Sequence, residues 1–310
     1  MTPKVTVEDF RSEDAEAVAQ VRRAAVPYLV CSAESVTWDA TSSPARKHTR
    51  WLVAREEPDG PIAGCADTGL LVESTEPGES FLHTAVRPGV LGRGVGDALV
   101  AAAERYLREL GARRAYTWAS DDGRSPGFAE RRGYVRGRRA CFLGLDLTRA
   151  TLPPVPDPLP DGVELRTSAD FADDRRPLYE ADMECAADEP GDVQTGFVPY
   201  ADWLRLNWER PDIDHHLSSV VLVEGEVAAY CVAQTDGRER YWSGMTGTRR
   251  AYRGRGLARL AKLDSLRRSR AAGCAHAFTG NDAANLPMLA LNKGLGYVQA
   301  AAEWRYVKAL

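Results

Sequence analysis

The chain has 310 residues, of which 27% are charged and 44% are hydrophobic, a composition typical of globular proteins. Disordered, collagen-like and disulfide-scaffold proteins are excluded, and at about 150 residues per domain the length favours two domains. The net charge of −4 excludes a general nucleic-acid binder, because such proteins need a basic surface. The acidic excess lies in the second half, which mildly favours a cationic partner.

The cysteines and the N-terminus indicate the cellular compartment. The six cysteines are widely spaced without a CxxC pair, so we expect buried free thiols and no metal site. Met1–Lys4 lead directly into acidic Glu8 and Asp9, which predicts no signal peptide. No apolar run reaches the roughly 18–20 residues that span a bilayer. We therefore expect a soluble cytoplasmic protein without a membrane partner.

A proline-rich segment, Leu152–Pro160, lies at the middle of the chain, and its five prolines prevent a helix or a sheet ladder. It predicts a stiff extended linker. We therefore predict three parts: an N-terminal domain over 1–150, a linker over 151–162, and a C-terminal domain over 163–310.

The two halves repeat one order of elements. Each begins with an alternating strand and a helix, and continues with a hairpin that turns at Asp59-Gly60 or Glu224-Gly225. A strand, a Gly-rich turn and an amphipathic helix follow, and the next helix closes at Gly133-Tyr134 or Gly296-Tyr297. This order predicts a duplicated α+β unit, with a mixed, mostly antiparallel sheet flanked by helices.

The Gly-rich turns, Leu91–Gly96 and Arg253–Ala258, are the strongest local signals. Glycines ahead of a helix leave successive N–H groups open, which predicts a phosphate or diphosphate site. The alternative is that they only make tight turns, and a single copy would not decide between the two interpretations. A Walker motif is excluded because no Lys-Ser/Thr follows, and a dinucleotide fingerprint fits poorly without βαβ alternation.

These turns resemble the signature of the GNAT acetyltransferase superfamily, Arg/Gln-x-x-Gly-x-Gly/Ala after the fourth strand. Arg253–Ala258 matches in full, and Leu91–Gly96, preceded by Val86–Pro88, matches except at Leu91. The run Thr279–Tyr297 is also family-like. The tandem arrangement is similar to that of mycothiol synthase, although no motif identifies the acceptor.

The resemblance implies acetyl-CoA as cosubstrate and an amine as acceptor. The implied diphosphate contacts are Arg253, Gly254, Arg255, Gly256, Leu257 and Ala258, with Val86, Gly92, Arg93, Gly94, Val95 and Gly96 in the first half. Met245, Thr246 and Thr248 would lie along the pantetheine arm, and the N–H near Met245 would polarise the thioester carbonyl. Gly244 and Gly247 are compatible with a β-bulge there.

Asparagines take part in the implied site. Asn285 and Asn292, two helical turns apart, would hydrogen-bond the pantetheine and the thiolate side. Many family members carry a Tyr acid at the position of Asn292, where the first half has Ala129. Because the first half also lacks the asparagines, we expect catalysis in the second half and a weaker or structural site in the first.

Direct attack by an alkyl amine requires a general base. Glu184 and Asp188 are the candidates, in a cluster with Glu189 and Asp192, and a solvated acidic loop is the alternative. Asn281 is the preferred polar contact near the acyl group, with a turn-forming role as its alternative.

Further side chains have plainer interpretations. His83, on the fourth strand of the first half near where a base would help, and His215-His216 are further base candidates. A core or surface histidine is the favoured interpretation of His83, and an exposed turn that of His215-His216. Tyr200, Trp203 and Trp208 are expected to pack in the core, with a substrate wall as the alternative.

Three functions remain open. The leading one is an N-acetyltransferase that acetylates a small-molecule amine directly, since no nucleophilic cysteine lies in either Gly-rich turn. The others are a non-catalytic acyl-CoA sensor or scaffold, and a structural protein whose turns hold simple anions. We expect a monomer or a homodimer.

Overall fold

The computed structural model describes residues 5–191, 196 and 198–310, which form two compact units. The first comprises residues 5–140, 196 and 301–310, and the second comprises 141–191 and 198–300. Each unit is a mixed, mostly antiparallel sheet flanked by helices, which confirms the predicted α+β fold. Asp192, named above in the acidic cluster, lies outside the described residues.

The first unit is built from the elements β1 (Thr6–Asp9), α1 (Ala15–Ala25), α2 (Ala33–Thr41), β2 (Arg50–Arg55), β3 (Ile62–Leu70), β4 (Glu79–Val86), α3 (Val95–Glu109), β5 (Arg114–Ser120) and α4 (Ser125–Glu130). Its sheet has the order β1-β2-β3-β4-β5. Val95, Leu99, Ala103 and Leu107 recur every four residues along α3 and are buried in the core of this unit.

The second unit is built from the elements β7 (Val163–Thr167), α5 (Arg176–Ala186), α6 (Tyr200–Asn207), β8 (Ser219–Val223), β9 (Glu226–Thr235), β10 (Arg240–Thr248), α7 (Leu257–Ala271), β11 (His276–Asp282) and α8 (Leu286–Gly294). Its sheet has the order β7-β8-β9-β10-β11. The pairings β7–β8, β8–β9 and β9–β10 are antiparallel, and β10–β11 is parallel.

Each repeat ends in a long strand, β6 (Val135–Asp146) or β12 (Val298–Ala309). Residues 303–309 of β12 pair with β5 of the first unit, with Glu303 opposite Ser120. Residues 141–146 of β6 belong to the second unit, beside β11. The repeats therefore exchange their last strands, and the compact units differ from the limits at 150 and 163 expected from the proline-rich segment.

The proline-rich segment contains no helix or strand between 151 and 160. Leu152 is nevertheless only 7% exposed, because it packs in the core of the second unit with Leu266 and Tyr297. Arg267 also donates a 3.0 Å hydrogen bond to the carbonyl oxygen of Pro153. The start of this segment is thus fixed to the second unit.

Candidate active site

The Gly-rich turn of the second unit connects β10 to α7. Gly254 and Gly256 have φ angles of 76° and 75°, which favour glycine, and at both positions a Cβ would meet no atom within 4 Å. Among the hydrogen bonds of the described residues, none is donated by the backbone N–H groups of residues 254–259. Open space beside free N–H groups at a helix start fits the diphosphate of a CoA thioester.

The two arginines of this turn differ in their surroundings. Arg253 folds back, with Nε 3.1 Å from the Thr248 carbonyl oxygen and Nη2 2.6 Å from Asp188. Arg255 is exposed. Arg253 therefore fixes the turn to the end of β10 and to Asp188, two residues beyond α5, while Arg255 is available to an anion.

The strand before this turn separates from its neighbour. β10 and β11 pair for only three residues, and the ladder ends at Trp242 opposite Phe278 although both strands continue. Just beyond, the Thr279 hydroxyl donates a 3.0 Å hydrogen bond to the Ser243 carbonyl oxygen. On the other side, the register with β9 shifts between Ser243 and Thr246, so a bulge is present at Gly244 and Met245. The expectation is met at Gly244, whereas Gly247 stays in register opposite Tyr230.

A cavity of about 280 Å³ opens beside this bulge. Gly244 and Met245 form one wall, α5 and α6 contribute Asp182 and Trp203, and β9 contributes Tyr230. Its other lining residues include Leu178, Leu206, Trp208, Ile213, His215 and Val232. Such a mainly apolar cavity with a few polar groups is typical of a small-molecule site.

The cavity is lined by the carboxylate of Asp182, which accepts hydrogen bonds from two neighbouring side chains. Its Oδ1 accepts a 2.6 Å hydrogen bond from the Tyr230 hydroxyl, and its Oδ2 accepts a 2.7 Å hydrogen bond from Trp203 Nε1. Burial raises the pKa of Asp182, while these two hydrogen bonds lower it by a smaller amount. The carboxylate is therefore more basic than one on the surface and is held in one orientation.

His215 lines the same cavity, and therefore is not in a fully exposed turn. Its Nε2 lies 3.0 Å from the Trp208 carbonyl oxygen, so Nε2–H donates and Nδ1 accepts from the Ser168 hydroxyl at 2.9 Å. Burial lowers the pKa of His215, and its ring stacks on Trp208. A neutral imidazole with both nitrogens engaged supports the wall of the cavity.

The two carboxylates predicted as general bases lie at the Gly-rich turn instead. Glu184 accepts from Arg249 Nε at 2.8 Å and from the Arg250 backbone N–H at 2.6 Å. Asp188 pairs with Arg250 and Arg253. Hydrogen bonds from these arginines hold the pKa of both carboxyls below the usual range, which weakens them as bases.

The asparagines of the second unit form a local network. Asn292 is fully buried and donates a 2.7 Å hydrogen bond from Nδ2 to Asn281 Oδ1, so these two residues are brought together. Asn285 caps α8 by accepting from the Met288 backbone N–H at 3.3 Å. Asn285 is thus engaged in helix capping, and Asn292 fixes the side-chain amide of Asn281, near the end of β11.

The first unit has a similar turn between β4 and α3. Gly92 and Gly94 have φ angles of 80° and 87°, and a Cβ would meet no atom within 4 Å at either. No hydrogen bond of the described residues is donated by the N–H groups of 92–97. Arg93 is exposed, and Gly96 packs against Phe128. Val86, at the end of β4, and Val95, the first residue of α3, flank this turn.

Sequence reasoning did not identify Asp182 and Tyr230. One signal was available, because Leu178, Ala181 and Cys185 mark the buried face of α5 and Asp182 lies on it. An acidic residue on an apolar helix face points to a buried partner. That partner, Tyr230, lies 48 residues away on β9 and is not evident from local sequence.

Comparison with known proteins identifies the class. The acetyltransferase (GNAT) family matches residues 17–134 and 176–297. A GCN5-related N-acetyltransferase from Sphaerobacter thermophilus is 22% identical with a TM-score of 0.72, covering 98% of this chain and 95% of that one. A tandem GNAT protein from the clavulanic acid biosynthesis pathway is 18% identical with a TM-score of 0.73, covering 99% and 98%. No curated protein sequence matches the chain.

Two repeats with separated central strands and Gly-rich turns define a tandem acyltransferase fold. The chain belongs to the GNAT acetyltransferase family, as its resemblance in sequence predicted.

Proposed function

We propose that this protein is an N-acetyltransferase that uses acetyl-CoA to acetylate a small primary amine in the second unit. One observation carries the proposal: the cavity that contains Asp182 is walled by Gly244 and Met245 at the bulge of β10. A thioester held along β10 would therefore face the cavity. Acetyl-CoA supplies an acyl group activated for transfer.

The residues of the turn and of β10 bind the donor in this proposal. The N–H groups of residues 254–258 and the side chain of Arg255 hold the diphosphate. The backbone at Met245, Thr246 and Thr248 orients the arm, and an N–H near Met245 polarises the thioester carbonyl. Glu184 and Asp188 act indirectly, by fixing Arg249, Arg250 and Arg253 beneath the turn.

Asp182 binds and deprotonates the acceptor. An alkyl ammonium that enters the cavity neutralises the carboxylate, and the raised pKa of Asp182 favours transfer of the proton to it. Trp203 and Tyr230 keep the carboxylate oriented toward the amine. The aromatic wall and the volume of about 280 Å³ favour an amine with a small apolar body.

We also propose a cytoplasmic location and no resident metal. All six cysteines are free and buried, which suits a reducing compartment. Among the described residues, no three or more potential ligands are grouped for a metal, and no helix is long and apolar enough to cross a bilayer.

Release of free CoA tests the proposal. The wild-type chain is incubated with acetyl-CoA and a panel of arylalkylamines, amino acids, polyamines and aminoglycosides, and products are identified by mass spectrometry. We expect turnover with small arylalkylamines such as phenethylamine. Tight binding of acetyl-CoA without turnover on any amine would instead support the acyl-CoA sensor or scaffold.

A further inference from the structure

The first unit also has two central strands that separate. β4 and β5 pair for three residues, and the ladder ends at Phe81 opposite Tyr116. Beyond this point β4 continues through His83, and β5 continues to Ser120, whose partner on β12 is Glu303. Two titratable side chains therefore lie to either side of the gap: His83 on β4, and Glu303 on β12, which pairs with β5.

His83 is oriented by a carboxylate on the neighbouring strand. Its Nδ1 lies 3.0 Å from Asp67 Oδ2, and the two residues are direct cross-strand partners. Burial alone would raise the pKa of Asp67, but His83, Arg22 and Lys47 together hold it below the usual range. The ionised carboxylate accepts from Nδ1–H, which leaves the lone pair on Nε2. The His83 side chain is 40% exposed, so a solute can reach it.

Glu303 lies across the gap from this pair. Its carboxylate accepts a 2.7 Å hydrogen bond from the hydroxyl of Tyr28, which is itself buried. Burial raises the pKa of Glu303, whereas the hydrogen bond from Tyr28 and the charge of His83 lower it. An oriented imidazole on β4 and a carboxylate on β12, the strand next to β5, thus lie on opposite sides of one gap.

We propose that the first unit is a second acyl-transfer centre, in which Glu303 binds a primary alkylammonium and His83 Nε2 takes its proton. Asp67 is a positioning residue that fixes the imidazole. The acyl donor is a CoA thioester on the turn of residues 92–97, so the inference shares its donor with the function proposed above. It replaces the weaker or structural role that sequence reasoning favoured for this unit.

The chemical step balances with the groups named. The bound ammonium group first releases one proton to solvent. The resulting amine nitrogen then forms a bond to the thioester carbonyl carbon and loses a second proton to His83 Nε2. The carbon–sulfur bond breaks, and the sulfur leaves with its electron pair. The imidazolium then returns the proton to the sulfur, which gives the amide and free CoA.

Matched variants of the full chain separate the two centres. A carboxylate is placed in the first turn by Gly94→Glu and in the second turn by Gly256→Glu. The same test is repeated at exposed side chains, with the glycines intact, by Arg93→Glu in the first turn and Arg255→Glu in the second. Calorimetry counts acetyl-CoA sites, for which we expect two in the wild type and one in each variant. CoA release is then measured with spermidine and phenethylamine.

The residue-level test uses the Gly256→Glu background. His83→Gln is expected to reduce the remaining turnover by about 100-fold, the usual contribution of a general base, whereas His276→Gln, at an exposed histidine of β11, leaves it unchanged. A second readout is independent of turnover: the NMR signal of the His83 ring, assigned by its loss in His83→Gln, shifts when spermidine is added. Glu303→Gln weakens this shift.

Each outcome decides the inference. Turnover in Gly256→Glu and Arg255→Glu that depends on His83 supports it. Turnover only in Gly94→Glu and Arg93→Glu, whose second turn is intact, overturns the inference of a centre in the first unit. The proposal for the second unit then remains supported. Turnover only in Gly256→Glu and Arg255→Glu, whose first turn is intact, supports a centre in the first unit and overturns the function proposed for the second unit. No turnover in the wild type on any amine overturns both.

Discussion

The hydroxyl of Tyr230 donates a 2.6 Å hydrogen bond to the carboxylate of Asp182, from a strand 48 residues further along the chain. The pair joins α5 to β9 at the wall of the cavity in the second unit. Trp203 donates to the other carboxylate oxygen, so both oxygens are fixed while they keep a free lone pair for an ammonium group.

Removal of the charge at Asp182 is expected to impair use of the acceptor amine. Asp182→Asn should lower kcat/KM for the amine by about 100-fold, because the amide neither attracts the ammonium nor accepts its proton. The Kd for acetyl-CoA should stay unchanged. Glu180→Gln, at an exposed position of the same helix, is the control and should behave as wild type. Equal loss in both variants would contradict the role of Asp182.

Tyr230→Phe is expected to shift the pH profile. The hydrogen bond from Tyr230 lowers the pKa of Asp182, so its removal raises that pKa. Since the base must be ionised, the acid limb of kcat/KM should move to higher pH. Tyr179→Phe removes a tyrosine hydroxyl that donates to the Val198 carbonyl oxygen, and should leave the limb in place. An unshifted limb in Tyr230→Phe would show that Asp182 does not control the profile.

A buried lysine predicts how stability depends on pH. Lys262 is 1% exposed, and burial lowers its pKa from 10.5 to about 8. Between these values the unfolded chain binds a proton that the folded chain has released, so the free energy of unfolding rises with pH. Lys262→Met removes this contribution.

The difference in the free energy of unfolding between the wild type and Lys262→Met isolates the contribution of Lys262, because other groups that titrate in the same pH range are common to both proteins. The stability advantage of Lys262→Met near neutral pH should shrink by on the order of 3 kcal/mol by about pH 10.5. Urea unfolding at several pH values measures it. A difference independent of pH would mean that Lys262 keeps an ordinary pKa.

Gly247 allows α5 to approach β10 closely. A Cβ at Gly247 would lie 2.7 Å from Cys185 Sγ, so Gly247→Ala should cost about 1–3 kcal/mol through overpacking. A Cβ at Gly294, at the end of α8, would meet no atom within 4 Å, so Gly294→Ala should stabilise by about 0.5–1 kcal/mol. Urea denaturation compares them, and an equal effect of both changes would contradict the close approach.

Local sequence was sufficient for features that local physics determines. The Gly-rich turns require positive φ at Gly254 and Gly256 ahead of a helix, and the bulge at Gly244 follows from glycine in a strand. The α+β duplication followed from the repeated order of elements. These features depend on neighbours in the chain.

Features that depend on distant partners were not predictable. The pairing of β12 with β5 cannot be inferred from the strand itself, since an alternating strand fits any sheet edge. Glu184 and Asp188 have the residue types of a base, yet Arg249, Arg250 and Arg253 pair with them. In sequence, Asp182 looks equivalent to Glu184 and Asp188. It differs in its burial and in the hydrogen bonds that it accepts from Tyr230 and Trp203.

A crystal structure of the full chain with acetyl-CoA tests the central claim most directly. The account predicts diphosphate oxygens at about 3 Å from the N–H groups of residues 254–258, a usual hydrogen-bond length, with the thioester carbon facing the cavity at Asp182. A coenzyme bound away from this turn, or a thioester directed away from the cavity, would contradict it.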